Sequence, residues 1–400
     1  MKRKGENPLL KYIRNDLPGI FNEANILRIH KERFLKVIKS DQILPPYEII
    51  IHPSSVCNLK CEWCIGGRIL ESKGKSKDNC DTLPNLLSIP SNMERVIKGI
   101  LEYSKNGFRV ENISFSGITG EPFIAKKSFI KAINILSKHQ IRTGVFSNGG
   151  LIDNDLIETI LKMSYINISL DSATPKTFIK LKYNNLPEGT IIFNNIIKNI
   201  SKLVRFKKKY KSNLDINVSF VLYPDNYKEI FEVAKILKKI GINNLRVKQD
   251  ISRKKILSKK QKKEAEILIK KARGLEDDSF KFIIIHRINV PSDMKRKFNQ
   301  CIISDLVTAI GSDGNVYPCN YQANKDSYNY GNAIEKSFKH IWEGDLRKEI
   351  KTYLPKTCPK SCDPFKNRAN RLFQIIGDIY KKYGDQETER LIQEIIETDK

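Results

Sequence analysis

Cys57, Cys61 and Cys64 stand in the run Cys57-Asn58-Leu59-Lys60-Cys61-Glu62-Trp63-Cys64, a CxxxCxxC spacing on one short stretch. Thiolates are the ligands of iron–sulfur clusters, and a cubane [4Fe–4S] cluster has four iron corners. Three cysteines on one loop can hold three corners and leave the fourth iron open, able to bind a small molecule and pass it an electron. The alternative is a zinc knuckle or a few buried cysteines. Zinc loops more often set CxxC pairs beside a second pair or histidines, and no such partner lies close by in the sequence. Far along the chain, Cys301, Cys319, Cys358 and Cys362 form a second group. Four cysteines suffice to ligate one [4Fe–4S] cluster fully or to hold a tetrahedral zinc.

These residues need elements to position them. Glu48-Ile49-Ile50-Ile51-His52, just before the first cysteine, reads as a buried parallel strand. From 48 to about 290 short apolar strands alternate with amphipathic helices. The strands are expected at 48–53, 112–116, 143–147, 165–170, 215–222 and 244–248, with helices near 91–105, 127–139, 153–163, 190–209 and 227–240. Such alternation implies parallel pairing with right-handed crossovers, and in barrels of this type chemistry sits at the carboxyl ends of the strands. The second strand runs into Ser116-Gly117-Ile118-Thr119-Gly120-Glu121-Pro122, and the third ends in Ser147-Asn148-Gly149-Gly150. The fourth gives Ser169-Leu170-Asp171-Ser172-Ala173-Thr174-Pro175 with Lys182 downstream, and the sixth ends in Lys248-Gln249-Asp250. Ser147 and Asn148 could equally form a simple strand-to-helix turn. Residues 65–90 make a long polar loop, a lid or a poorly ordered segment, and carry Cys80.

Beyond Cys301, Ile310 to Cys319 reads as a hairpin about the Ser312-Asp313-Gly314-Asn315 turn. A helix with Phe338, Ile341 and Trp342 follows, then Cys358-Pro359-Lys360-Ser361-Cys362. Residues 1–47 are helical in part, with Ile26, Ile29, Phe34, Leu35 and Ile38 as an apolar stripe expected to pack across the outside of the main domain. The tail carries a further amphipathic helix through Leu391, Ile392, Ile395 and Ile396, expected to pack on the barrel or a partner. The organisation expected is a helical extension (1–47), a core barrel (48–290), a C-terminal cysteine domain (291–365) and a helical tail (366–400).

Four hundred residues with 40% hydrophobic content can bury one large core and an appended domain. The longest apolar runs are strand-sized, so no membrane span is expected. The N-terminus has basic residues without an apolar signal core, and together with thiolate chemistry this points to the cytoplasm. The net charge of +26 concentrates in 205–211 and 253–273. It reads as a lysine-covered surface, with an acidic partner (peptide, nucleotide or nucleic acid) as the second reading.

The cysteine loop, with Trp63 just before its third cysteine, resembles the signature of the radical S-adenosylmethionine (radical SAM) superfamily. The resemblance implies a partial (β/α)6 TIM-type barrel, α/β in class. Its open-iron [4Fe–4S] cluster chelates SAM, and one-electron reduction cleaves SAM to a 5′-deoxyadenosyl radical that abstracts a substrate hydrogen. The run at 116–122 is similar to the family's GGEP motif, with Thr119 in place of the first glycine; Thr119, Gly120 and Glu121 would meet the SAM amino group. Ser147 and Asn148 match a strand end that contacts SAM. The fourth-strand segment resembles that of members with a SPASM or twitch domain, so Ser169 and Lys182 would hold the SAM carboxylate. Lys182 stands where the family has arginine and loses its bidentate fork. Trp63 is counted with the SAM contacts, and Lys248, Gln249 and Asp250 with substrate.

The C-terminal pattern resembles a twitch domain, a shortened SPASM domain, and implies a second [4Fe–4S] cluster on Cys301, Cys319, Cys358 and Cys362. Cys80 is a candidate hydrogen donor, since some radical epimerases return a hydrogen atom from a thiol. The expected function is radical modification of a ribosomal peptide by oxidation, crosslinking or epimerisation, with a flavodoxin- or ferredoxin-type electron donor. The alternatives are a dehydrogenase or epimerase of a sugar-, aminocyclitol- or nucleotide-like molecule and, from another class, a basic zinc-containing nucleic-acid-binding protein.

Overall fold

The computed structural model describes residues 23–40, 42–66, 84–117, 120–250, 255–285, 296, 298–358 and 362–398. Its centre is a nine-stranded sheet. Seven strands lie in chain order: β1 (Glu48–Ile51), β2 (Asn112–Phe115), β3 (Arg142–Ser147), β4 (Tyr165–Ser169), β5 (Asp215–Leu222), β6 (Asn244–Gln249) and β7 (Lys281–Ile284). Every neighbouring pair among them is parallel. Their crossovers carry α2 (Pro90–Leu101), α3 (Lys126–Leu136), α4 (Asn154–Ile160), α5 (Pro175–Lys182), α6 (Gly189–Lys209), α7 (Ile230–Ile240) and α8 (Lys259–Arg273). The apolar faces of these helices and the strands merge into one core that includes Ile49, Ile113, Val145, Ile166, Val218 and Leu245. The parallel order is the one the alternating pattern implied, and the α/β partial barrel is the one the family resemblance implied.

Two features differ from the sequence reading. Six strands were expected, and Lys281–Ile284 adds a seventh on the outer side of β6. Its Phe282-Ile283-Ile284-Ile285 run is as apolar as that of β1, but only Phe282 is buried within the strand. The C-terminal hairpin forms as expected, with β8 (Val307–Ile310) antiparallel to β9 (Val316–Tyr317). But β8 also pairs in parallel with β1, in the register Glu48↔Val307 to Ile51↔Ile310. The second cysteine group is therefore built onto the edge of the barrel sheet, beside the strand that feeds the first. At the hairpin turn Gly314 adopts φ +84, and a Cβ there would lie 2.5 Å from Ile334, so glycine is required twice over.

The terminal helices form a core of their own. In α1 (Glu23–Ser40) Leu27, Phe34 and Leu35 are buried against Leu372, Phe373, Ile376, Leu391, Ile392 and Ile395 of the C-terminal helix α9 (Pro364–Thr398). The Phe34 and Phe373 rings sit 4.2 Å apart. Of the expected stripe, Phe34 and Leu35 are buried and Ile38 packs against this core, while Ile29 is 65% exposed; the helix packs on the chain's other end together with Ile303 and Leu306. Arg33 ties this unit to the barrel by donating to the carbonyls of Pro45 and Arg109 and pairing with Glu111. Among the described residues, no helix is long and apolar enough to cross a membrane.

Candidate functional site

The CxxxCxxC loop leaves the carboxyl end of β1 and is held by the segments after β2 and β3 and by the carboxyl end of α5. From the β2 end, Glu121 donates its backbone N–H to Val56 O at 2.7 Å. Gly120 lies so close to the incoming chain that a Cβ would stand 2.2 Å from Ser54 O, which explains a small residue there. From the β3 end, the Asn148 amide donates to Asn58 Oδ1 at 2.8 Å. From α5, which follows β4, the carbonyls of Lys182 and Leu181 accept from Lys60 N (3.0 Å) and Glu62 N (2.9 Å). Within the loop Leu59 N–H points at Cys57 Sγ at 3.5 Å, and Cys64 N bonds Cys61 O.

α5 starts on Pro175 with the Thr174 hydroxyl accepting from Thr177 N, and Thr174 also donates to Glu229 at 2.8 Å. Thr174→Ala removes that cap and is expected to cost about 1 kcal/mol of unfolding free energy, read by urea denaturation; a change indistinguishable from zero would contradict this.

Glu121 is fully enclosed. Its carboxylate accepts from Ser147 Oγ (2.7 Å), Asn148 N (2.8 Å) and Phe123 N (3.3 Å). Burial pushes its pKa above the ordinary carboxylate range, against the pull of these three donors. Gly120, Glu121, Ser147 and Asn148 are therefore brought together around one buried carboxylate. Thr119 and Cys80 lie outside the described residues.

Lys182 does not stand open toward a ligand as the sequence suggested. It is 1% exposed, and its ammonium donates to Ser169 O and, at 2.9 Å, to Asp171 Oδ2. Burial disfavours its charge, but Asp171 and then Cys61 outweigh that and hold its pKa up. Asp171, at φ 62, also accepts from Val221 N through Oδ1 and from Asn226 Nδ2 through its carbonyl. Trp63 is 9% exposed and packs with Leu181, Val221 and Tyr223, its ring 5.1 Å from that of Tyr223. Lys248 and Gln249 close β6, with Asp250 next; all three are half-buried. Burial lowers the Lys248 pKa, and the charges that act on it include Asp171 and Asp363, the latter next to Cys362.

None of the seven described cysteines is in a disulfide. Burial raises the Cys57 pKa, and Cys61 and Cys64 add to it. Burial likewise raises Cys301 to about 11 and lifts Cys362, with Cys319 the next contributor to both. Cys358 adds to Cys301, so each set is gathered in space. Buried thiols that repel each other as thiolates keep their protons until a cationic metal centre takes the protons' place. Amide N–H groups approach the second set: Gln322 Nε2 is 3.2 Å from Cys358 Sγ and Asn370 Nδ2 3.6 Å from Cys301 Sγ. Among the described residues no three His, Cys, Asp or Glu side chains close around a single metal ion. A cubane instead presents separate corners to its thiolates, and both sets are all-sulfur donors suited to one.

The residues that sequence reasoning missed are Asn58, Asn226, Glu229 and Lys366. Asn226 is 1% exposed and satisfies Tyr223 N, Asp171 O and Val221 O, while Glu229 accepts from Ala173 N and Thr174. Nothing local in the sequence marks them, because their partners lie on other segments.

A parallel partial barrel with a three-cysteine loop at the end of its first strand, and four more cysteines on the adjoining edge, defines an iron–sulfur protein of barrel type. Residues 51–251 match the radical SAM superfamily and residues 301–363 an iron-sulfur cluster-binding domain, the SPASM domain; the chain belongs to the radical SAM superfamily. It is an enzyme family whose members use a [4Fe–4S] cluster and SAM, and the SPASM domain adds iron–sulfur binding. The "tungsten-containing aldehyde ferredoxin oxidoreductase cofactor-modifying protein" of Pyrococcus furiosus is 22% identical over 331 residues, 76% of this chain and 84% of that one. Among solved structures, Streptococcus suis SuiB bound to S-adenosylmethionine superposes with a TM-score of 0.56 at 18% identity, covering 84% of this chain and 73% of that one. Native anSMEcpe with bound AdoMet gives 0.54 at 17% identity, covering 89% and 100%. At these identities the likeness is one of fold.

Proposed function

We propose that this chain modifies a peptide by radical chemistry, with Cys57, Cys61 and Cys64 holding the [4Fe–4S] cluster that meets SAM and the four C-terminal cysteines holding a second. The observation that carries the chemistry is the convergence of the β1, β2 and β3 ends and the end of α5 on the three-cysteine loop. The bound cluster and SAM would supply a 5′-deoxyadenosyl radical, and the second cluster a place for an electron.

This chain's residues do the positioning. The backbone at Gly120 approaches closely, and Glu121 offers a buried carboxylate to the SAM ammonium. Ser147 and Asn148 fix that carboxylate, and Ser169 with Lys182 sets the charge beside the loop. Lys248, Gln249 and Asp250 face substrate from the β6 end. A flavodoxin- or ferredoxin-type protein would deliver the electron. Support for a peptide comes from the likeness to SuiB, which has been solved bound to precursor peptide SuiA.

The test is to mix the reduced, cluster-loaded protein and SAM with short peptides encoded beside its gene, and read peptide mass and 5′-deoxyadenosine together. A mass change that needs SAM supports the reading. SAM cleavage with every peptide unchanged, and with a sugar, aminocyclitol or cofactor precursor turned over, overturns it for the small-molecule reading that the name of the Pyrococcus relative favours. Glu121→Gln places an amide where Ser147 and Asn148 both donate. It is expected to weaken SAM binding about tenfold, or about 1.4 kcal/mol, with iron content unchanged. Equilibrium dialysis of SAM checks this, and unaltered affinity would remove Glu121 from the contact set.

A further inference from the structure

Lys366 lies in the first turn of α9, four residues beyond Cys362. Its Nζ is buried and makes no hydrogen bond. The nearest carboxylate in sequence, Asp363, is engaged otherwise: Oδ1 accepts from Lys366's own backbone N–H at 3.0 Å and Oδ2 from Tyr321 OH at 3.2 Å. The Tyr321 ring centre is 5.7 Å from Nζ. Among the described residues no carboxylate stands within ion-pair distance of Nζ. The anionic groups that weigh most on it are Cys319, Asp363, Cys362 and Cys301, three of them C-terminal cysteines. Glu48 and His52 of the β1 segment also feel its charge.

An ammonium buried without a partner is costly, and this cost is offset if the space it faces holds an anion. Other polar contacts to this cysteine set have the same character, since Gln322 and Asn370 aim N–H groups at Cys358 and Cys301. Lys366 adds a buried full positive charge to these donors, and Arg296 and Lys325 act on Cys358 as well.

We propose that Lys366 sets the reduction potential of the C-terminal iron–sulfur cluster, its ammonium donating to cluster or cysteine sulfur. The inference rests on the reading that these four cysteines hold such a cluster. Reduction places one electron on a group that four thiolates already make anionic. A fixed buried cation favours the more negative, reduced state, and hydrogen bonds to sulfur act in the same direction. Lys366 therefore tunes the centre without touching substrate.

The test uses the full-length chain with Cys57, Cys61 and Cys64 all changed to alanine, so that the second cluster is read alone. Iron, sulfide and visible absorption are measured first; if this protein and the unaltered one both lack a second cluster, the underlying reading fails and the inference goes with it. With the cluster present, dye-mediated titration with dithionite, followed by EPR, compares Lys366→Met and Lys366→Arg. Lys366→Met is expected to lower the midpoint so that, at the unaltered midpoint, the reduced-to-oxidised ratio falls at least tenfold, about 59 mV for one electron. Lys366→Arg should keep the midpoint near its original value. Loss of iron from Lys366→Met with normal loading of Lys366→Arg supports the same assignment, since the site then needs the charge. An unmoved midpoint in a fully loaded Lys366→Met, or equal loss of iron in both variants, overturns it.

Discussion

Alanine at Cys57 is expected to empty the N-terminal cysteine loop of iron and to abolish SAM cleavage, while the C-terminal cluster stays in place. The expected numbers are about half of the iron of the unaltered protein, following from two cubanes reduced to one, and 5′-deoxyadenosine below detection. The effect should be all-or-none. The proposed set has three protein ligands for four corners, and removing one leaves Cys61 and Cys64 alone. Burial and its neighbours hold the Cys57 thiol protonated while the site is empty, so iron must displace that proton when it loads. Cys301→Ala should instead spare the first cluster and its EPR signal when bound to SAM. Anaerobic iron and sulfide analysis, EPR after reduction and chromatography of SAM products read these outcomes. Full iron and intact cleavage in Cys57→Ala would remove the loop from the chemistry.

Asp171→Ala is expected to cost about 3–5 kcal/mol of stability, the scale for stripping one partner from a buried ion pair. Lys182 would keep a buried charge with only Ser169 O beside it, and Val221 N–H would lose its acceptor. The damage should reach the cysteine loop, because Lys60 and Glu62 hang from the carbonyls of Lys182 and Leu181. Iron loading at the first site should fall with stability. The double variant Asp171→Asn with Lys182→Met carries no buried charge and should recover more than half of the loss. Urea denaturation of the three proteins gives the comparison, and a single-variant loss below about 1 kcal/mol, the range of a solvent-exposed pair, would show that the pair is not buried in solution.

The strand reading and the structure agree most closely where pattern is strongest. The span 215–222 is reproduced as β5, and Thr143–Ser147 is extended by one residue at Arg142. These strands are buried on both faces or alternate cleanly, so period alone marks them. β7 was legible in the same way, since Phe282-Ile283-Ile284-Ile285 is an apolar run like that of β1, but it was not read as a strand. Glu121, Ser147 and Asn148 were legible as strand-end residues, yet that two of them serve the third appears only when β2 and β3 lie side by side. Lys182 was read as a cation for a ligand, whereas the turn at Asp171 brings a carboxylate to it from eleven residues away.

By itself the sequence determined the chemistry of the donors and the alternation that makes a barrel, since thiol spacing and hydrophobic period are local properties of a chain. The three-dimensional arrangement alone decided which distant segments share a boundary. It set β8 against β1, the first helix against the last, and Lys366 among the cysteines. The reason is that an apolar face or a buried charge specifies that it needs a partner. Which partner is chosen depends on everything else the chain must bury at once.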